Sequence, residues 1–396
     1  MADEAIASQL TPFEVEERPL EQCIGQTLRQ DIFAERDNPP FDRVCMDGIA
    51  IDSGALERGI RWFAILGTQA AGVPPLELSS RDSAVEVMTG AVLPPGTDCV
   101  IPQEEYDEGN GAVSLKPHVA AAPYRNVQRR GEDSRPGVAM LKAGVRLGAT
   151  EIAVAASAGL ACLRVSRQPR FMIISTGDEL VEPGHPIADH QVRRSNAYSL
   201  IAALRDRGFL TVGNDHIPDN EALLHDRLKL HLESRDVLVL SGGVSKGKYD
   251  FVPKVLKDLG VREVFYQVAQ RPGMPMWFGI GRGGAAVFGL PGNPVATLVC
   301  LIRYIAPGVA SAMGTPPSPP ERVPLAASVK FGRAFTYFLP VSVQYDDRGR
   351  PSAIPRRTNG PGDFLGLTAA DGFVELPPSA EAFPDGFVAN LYRWRS

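Results

Sequence analysis

Between Phe171 and Met313 the hydrophobic positions alternate between two periods. Short unbroken apolar runs (FMIIS, LTVGNDHI, DVLVLS, VREVFYQVA) are separated by stretches with apolar residues every three or four positions (NAYSLIAALRDRG, EALLHDRLKLHLES, FVPKVLKDLG). The runs predict buried strands and the spaced stretches amphipathic helices, so this region reads as a mostly parallel sheet covered by helices on both faces. In such a sheet the functional groups lie at the strand ends. A last apolar stretch, PVATLVCLIRYIAPGVASAMG, predicts the closing helix.

Elsewhere the pattern changes. Residues 41–137 carry short β-like runs among Gly and Pro and no helix of convincing length, predicting a β-rich domain. The flanking segments 16–40 and 138–165 read together as a linking unit made from two distant pieces. The αβα domain then takes 1–15 with 166–314. GTPPSPPERVP breaks the last helix, and 315–396 predicts a β-barrel or sandwich of turn-separated strands. The fold class is thus α/β and β multidomain, as 396 residues exceed a single core.

Composition narrows the chemistry. A net charge of −5 gives no basic footprint for nucleic acid, and the five cysteines form no CxxC pair. They read as reduced thiols in a cytoplasmic protein. The acidic N-terminal stretch lacks the order of a signal peptide, and the Ala-rich run 152–163 is too short for a bilayer, so no membrane association is expected. His225 and His231 fall on different faces of a predicted helix and are expected to be solvated.

Two phosphate-loop patterns fail on context. Gly242, Gly247 and Lys248 have P-loop spacing after a strand, but Tyr249 replaces the Ser or Thr that binds magnesium. Gly279, Gly281 and Gly284 satisfy GxGxxG, yet stand between two strand-like runs and predict a hairpin. What survives is a strand, a Gly242-Gly243 turn and a helix, which places N–H groups where anions bind. Acidic residues at glycine-marked turns recur: MDG (46–48), GED (131–133), TGDEL (176–180), PDNE (218–221) and YDF (249–251). The last three fall at strand ends of one sheet, where converging carboxylates suit magnesium and hence phosphate or oxyanion chemistry. LPGNP leads into the closing helix, so Gly292 and Asn293 are expected to present N–H groups and an amide at its positive end.

With these residues assembled, the chain resembles the molybdopterin molybdenumtransferases of the MoeA type, the family that includes the gephyrin E domain. The likeness runs in order through PPFDRVCMDGIAI, VMTGAVLPPGTDCVIPQEE, RRGEDSRPG, ISTGDELVEPG, RRSNAYSL, SGGVSKGKYDFV, RPGMP and LPGNPVA. It implies a four-part subunit and a homodimer whose cleft is shared between one αβα domain and the MDG-bearing domain of the partner. The implied reaction is magnesium-dependent insertion of molybdate into adenylylated molybdopterin, with release of AMP. Molybdopterin adenylyltransferase and recipient molybdoenzymes are the implied partners. Carried over by motif, Asp47, Thr89, Asp133, Glu179, Asp219 and Asp250 serve metal, water or pterin, with Glu179, Asp219 and Asp250 as the metal set. Ser241, Gly242, Gly243, Lys248, Gly292 and Asn293 line the nucleotide end, and Arg271, Pro272 and Gly273 the oxyanion.

The chain also departs from the family. Where Lys-Pro-Gly-Lys-Pro is usual it has Arg271 and Met274, with Ala296 and Pro361 where hydroxyls are usual. Arg keeps the charge, but Met cannot bind an anion. Three lost polar groups, at about 1 kcal/mol each, weaken binding by roughly a hundredfold. The alternative reading is therefore a weakened family member that holds the pterin nucleotide or a partner enzyme as a scaffold.

Overall fold

The computed structural model describes residues 2–244, 251–356, 358–360 and 362–395. The chain divides into two compact units, one comprising 31–142 with 149–161, the other 1–30, 143–148 and 162–396.

The first unit is built on a six-stranded sheet: β1 (Gly48–Ile51), β2 (Trp62–Gln69), β3 (Ser83–Val87), β4 (Cys99–Pro102), β5 (Tyr106–Gly109) and β6 (Ala112–Leu115). The strand order is β4-β1-β3-β2-β6-β5, antiparallel except for β2 against β3. Its α-helices are four-residue Gly54–Glu57 and Ala149–Ser157, so within 41–137 the expected lack of long helices holds among the described residues. Ile49, Ile51, Phe63, Ile101 and Val113 form its core.

The second unit holds the alternating pattern. Its sheet comprises β7 (Phe171–Thr176), β8 (Val212–Ile217), β9 (Val237–Ser241), β10 (Arg262–Tyr266), β12 (Trp277–Ile280) and β13 (Ala286–Leu290). The order is β8-β7-β9-β13-β12-β10, with the first four parallel and the last two antiparallel. Successive side chains leave a strand on opposite faces, and the core divides accordingly. Phe171, Ile173, Val237, Val239 and Phe288 pack with α1 (Ser195–Asp206) and α4 (Pro294–Cys300); Met172, Ile174, Leu238, Leu240 and Val287 pack with α2 (Glu221–Ser234) and α3 (Val252–Asp258). Strands buried on both faces are why those runs are apolar without alternation. GIGRGG is the turn of the β12–β13 hairpin, as predicted.

α4 continues through a π-turn, Leu301–Ile305, into α5 (Ala306–Ala312). Pro294–Ala312 is long and apolar enough to cross a membrane, but 72% of its apolar window is buried, as in a core helix.

Beyond it, β14 (Glu321–Pro324), β15 (Thr336–Tyr345), β16 (Pro351–Pro355), β17 (Gly372–Leu376) and β18 (Val388–Arg393) make a third sheet. A two-residue strand from the αβα region, β11 (Gln270–Arg271), completes it by pairing with β15, Arg271 opposite Tyr337. One expectation fails here. His231 is 6% exposed rather than solvated, because its Nε2 meets Asp215 Oδ2 at 2.6 Å and Arg227 binds the other oxygen, also at 2.6 Å.

Candidate functional site

The parallel strands β7, β8, β9 and β13 all end at one edge of the central sheet, and their loops are tied together there. Asp178 Oδ1 accepts from the Asp219 amide (3.0 Å), joining the loops after β7 and β8. The carbonyl of Gly177 can only accept, so His216 Nε2, 2.9 Å away, carries the proton. The Gly242 amide donates to Leu290 O (3.1 Å), joining β9 to β13.

Asn196, in the first turn of α1, bridges two of these ends: its Nδ2 donates to Ser241 Oγ (3.0 Å) and to Gly292 O (2.9 Å). Gly242 and Gly243 lie in the left-handed region, at φ +96° and +66°, and a Cβ on either would come within 2.8 Å of Thr176. Only glycine allows β9 to turn this close to the end of β7.

A cavity of about 400 Å³ opens at this edge, lined by Thr176, Glu179, Asn196, Ser241, Gly242 and Gly292 among others. Ser175 Oγ, Thr176 Oγ1 and Asn196 Oδ1 are buried there without hydrogen-bond partners among the described residues. Buried polar atoms left unpaired in this way call for a polar ligand or ordered water. Glu179 is exposed on the cavity wall. The same loop cluster therefore holds Glu179, Asp219, Ser241, Gly242, Gly243 and Gly292. Lys248 and Asp250 lie outside the described residues, as do the rest of 245–250 and Pro361. Among the described residues no group of three potential metal ligands occurs.

Arg271, Pro272, Gly273 and Asn293 line a neighbouring cavity of about 550 Å³, together with Met274 and Ala296. Its far wall is Tyr337 of β15 with Arg333 and Phe335 from the segment leading into that strand, brought in because β11 pairs with β15. The Arg-Pro-Gly turn is held from beneath by Gln270, which is 1% exposed, donates to Gly273 O (3.1 Å) and accepts from Tyr304 Oη (2.6 Å). Asn293 also serves the helix it precedes. Its Oδ1 caps α4 by accepting from the Ala296 amide (3.2 Å), so the helix, not a ligand, takes that oxygen.

The remaining predicted residues sit on the first unit. Asp47 Oδ1 accepts from the amide (2.7 Å) and the hydroxyl (2.8 Å) of Thr89, and these bonds hold its carboxyl below the ordinary range, the backbone bond foremost. Asp133 accepts from Gln128 Nε2 at 3.1 Å through both oxygens, and Gln128 pairs in register with Arg43. Val44 bonds the Thr89–Gly90 turn through Gly90 N and Ala91 O, so the three acidic and hydroxyl groups stand on adjoining segments.

The sequence reading left Ser175, Thr176, Asn196, Arg333 and Tyr337 unassigned. Polar residues closing an apolar strand signal the first pair; nothing local signals the others.

Known proteins bear on this geometry directly. Residues 1–159 match the MoeA N-terminal region (domain I and II), 172–311 a probable molybdopterin binding domain, and 322–394 the MoeA C-terminal region (domain IV). A molybdopterin molybdenumtransferase of Synechocystis sp. is 40% identical over 372 residues, 93% of each chain. The chain belongs to the molybdopterin molybdenumtransferase family. Molybdopterin molybdenumtransferase 2 of Mycobacterium tuberculosis is 35% identical over 91% of this chain and 90% of its own. The crystal structure of the molybdopterin biosynthesis MoeA protein from Pyrococcus horikosii superposes with a TM-score of 0.79 at 28% identity, covering 100% of this chain and 98% of that one. The resemblance carried by the motifs is thus borne out. As a member of the molybdopterin molybdenumtransferase family, the chain is an enzyme of molybdenum cofactor biosynthesis.

Proposed function

We propose that the enzyme inserts molybdenum into adenylylated molybdopterin, consuming molybdate and releasing AMP. The observation that carries this reading is the strand-end cavity, where three buried polar atoms, unpartnered among the described residues, stand beside a glycine turn and an exposed glutamate. A phosphoanhydride supplies acceptors for the two hydroxyls, Ser175 and Thr176, and negative charge for the N–H groups of the glycine turn. Water adds to the phosphorus, the bond between the two phosphoryl groups breaks, and AMP leaves. Molybdate then takes the cavity beside Arg271, whose planar guanidinium suits a tetrahedral oxyanion.

The donor set at the strand ends is all oxygen, as magnesium prefers. Glu179 and Asp219, with Asp250, would hold it, and the Asp178 link keeps the Asp219 loop beside that of Glu179. Bound there, the ion would neutralise phosphate charge and polarise the reacting centre. Asp47, Thr89 and Asp133 are assigned to water, metal or pterin on motif position, in a cytoplasmic homodimer.

Two assays test the reading together: AMP release from adenylyl-molybdopterin, and calorimetric titration with molybdate. A folded, purified enzyme silent in both rejects it. EDTA should abolish AMP release and added magnesium restore it; unchanged release in EDTA removes the metal from the proposal.

A further inference from the structure

The opposite edge of the central sheet, where β7, β9 and β13 begin, carries a cavity of its own, about 570 Å³ in volume. Strands of this length put it roughly 15–20 Å from the strand-end cavity. The unused glycine motif lies on its rim, since Arg282, Gly283 and Gly284 of the β12–β13 turn line it. Five cations share the lining with three carboxylates, Glu14, Glu233 and Asp236, a surplus of two positive charges.

Asp236 is already committed. It accepts from Arg167 at 2.9 and 3.1 Å and from Arg170 at 3.1 and 3.0 Å, with the Arg170 amide at 2.7 Å. That leaves Lys229, Arg235 and Arg282, whose side chains meet no carboxylate among the described residues. Arg235 Nε is buried without a partner among the described residues, an unmet donor of the kind that folded proteins rarely leave. Arg282 lies across Gly260, where a Cβ would come within 2.3 Å of its Nε, so the glycine leaves room for the guanidinium to lie along this rim. Gly283 and Gly284 have nothing within 4 Å of an added Cβ, which leaves the mouth open.

The bland account is that these cations balance the carbonyl ends of α2 and α3, which close on this edge. Each helix end is equivalent to about half a negative charge, so the two absorb roughly one charge of the surplus and leave about one.

We propose that this cavity is a second anion site, which takes a phosphate-bearing small molecule through Arg235, Arg282 and Lys229. It is independent of the metal-insertion chemistry and needs neither the Arg271 turn nor the strand-end carboxylates.

Calorimetric titration of the full-length protein with inorganic pyrophosphate, without divalent metal and at low salt, tests it. The wild-type isotherm should contain a binding event that Lys229→Ala/Arg282→Ala weakens at least tenfold and that Arg271→Ala leaves in place. Both altered residues are exposed, and circular dichroism checks that the double variant is folded. If it is not, Lys229→Glu alone, at an exposed position on α2, should give the same weakening. Binding in the charge variants equal to wild type overturns the proposal, and so does loss of every event in Arg271→Ala.

Discussion

Asn196 does more than its position at a helix start requires. One amide group holds the ends of β9 and β13 together, while its oxygen stays buried and unpaired on the cavity wall. Asn196→Ala keeps a good helix former in α1 but frees Ser241 and Gly292 to drift. A displacement of about 1 Å in a positioned site can cost a hundredfold in rate. AMP release should fall by roughly 10- to 100-fold while the far-ultraviolet spectrum is unchanged; wild-type turnover in this variant would deny Asn196 its positioning role. Gly273 makes a purely steric demand. Its φ is +90°, and an added Cβ would meet Cys300 Sγ at 2.7 Å and Gln270 Nε2 at 2.8 Å. Gly273→Ala should cost about 1–3 kcal/mol in denaturant unfolding, and no cost would mean that the turn relaxes freely. The same packing governs thiol chemistry. Burial pushes the Cys300 thiol up to about 12 and Cys99 to about 11, whereas Cys45 is exposed. Iodoacetamide at pH 8 on the native protein should therefore modify Cys45 and spare both buried thiols, as peptide mass mapping would show.

At the scale of the elements, the two edges of the central sheet divide the work. The loops after β7, β9 and β13 line the strand-end cavity, and the opposite edge is tied down by Asp236. Burial pushes the Asp236 carboxyl up, but hydrogen bonds from Arg170 and Arg167 outweigh it and hold the group far below the ordinary carboxylate range. A depressed carboxylate gives stability that is complete above its unfolded value of about 4 and is lost as pH falls through the folded one. The melting temperature should drop between about pH 4 and pH 2, and Asp236→Asn should be less stable at pH 7 and lose less on acidification. Parallel pH profiles for the two proteins would contradict this. These elements were legible because buried strands and amphipathic helices write different periods into a chain, and the Gly242-Gly243 turn because its glycines have no substitute. His231 was misread for a related reason. Helical spacing locates a face but not the partner on it, and Asp215, on the neighbouring strand β8, makes a buried histidine affordable.

At the scale of the whole molecule, the illegible part of the candidate site is the part assembled by long-range pairing. β11 is only two residues long and has no period to detect, yet through its pairing β15 delivers Tyr337, and the segment before β15 Arg333, to the cavity of Arg271. The acids of the first unit were found by motif alone, since nothing in local pattern joins Asp47 to Thr89 across 42 residues. The departures from family pattern can now be weighed by place. Met274 and Ala296 both line the Arg271 cavity, but they differ in accessibility: Met274 is 38% exposed, and Ala296, in the first turn of α4, is fully buried. A lysine at 274 can keep its ammonium in water along an apolar stem, whereas a hydroxyl at 296 would need a partner in the core. Restoring the usual residue should thus be productive at the first position, and at the second should bring a gain only if the new hydroxyl finds a partner. Met274→Lys adds a cation to a cavity that already contains Arg271 and Arg333, so part of its gain is lost to like-charge repulsion unless a dianion is bound. Molybdate, as a dianion, should bind about tenfold more tightly to Met274→Lys, near 1.4 kcal/mol, with the gain shrinking as salt is raised. Arg333→Ala should weaken it by a similar factor. Titrations in which neither substitution moves molybdate affinity would place the oxyanion outside this cavity.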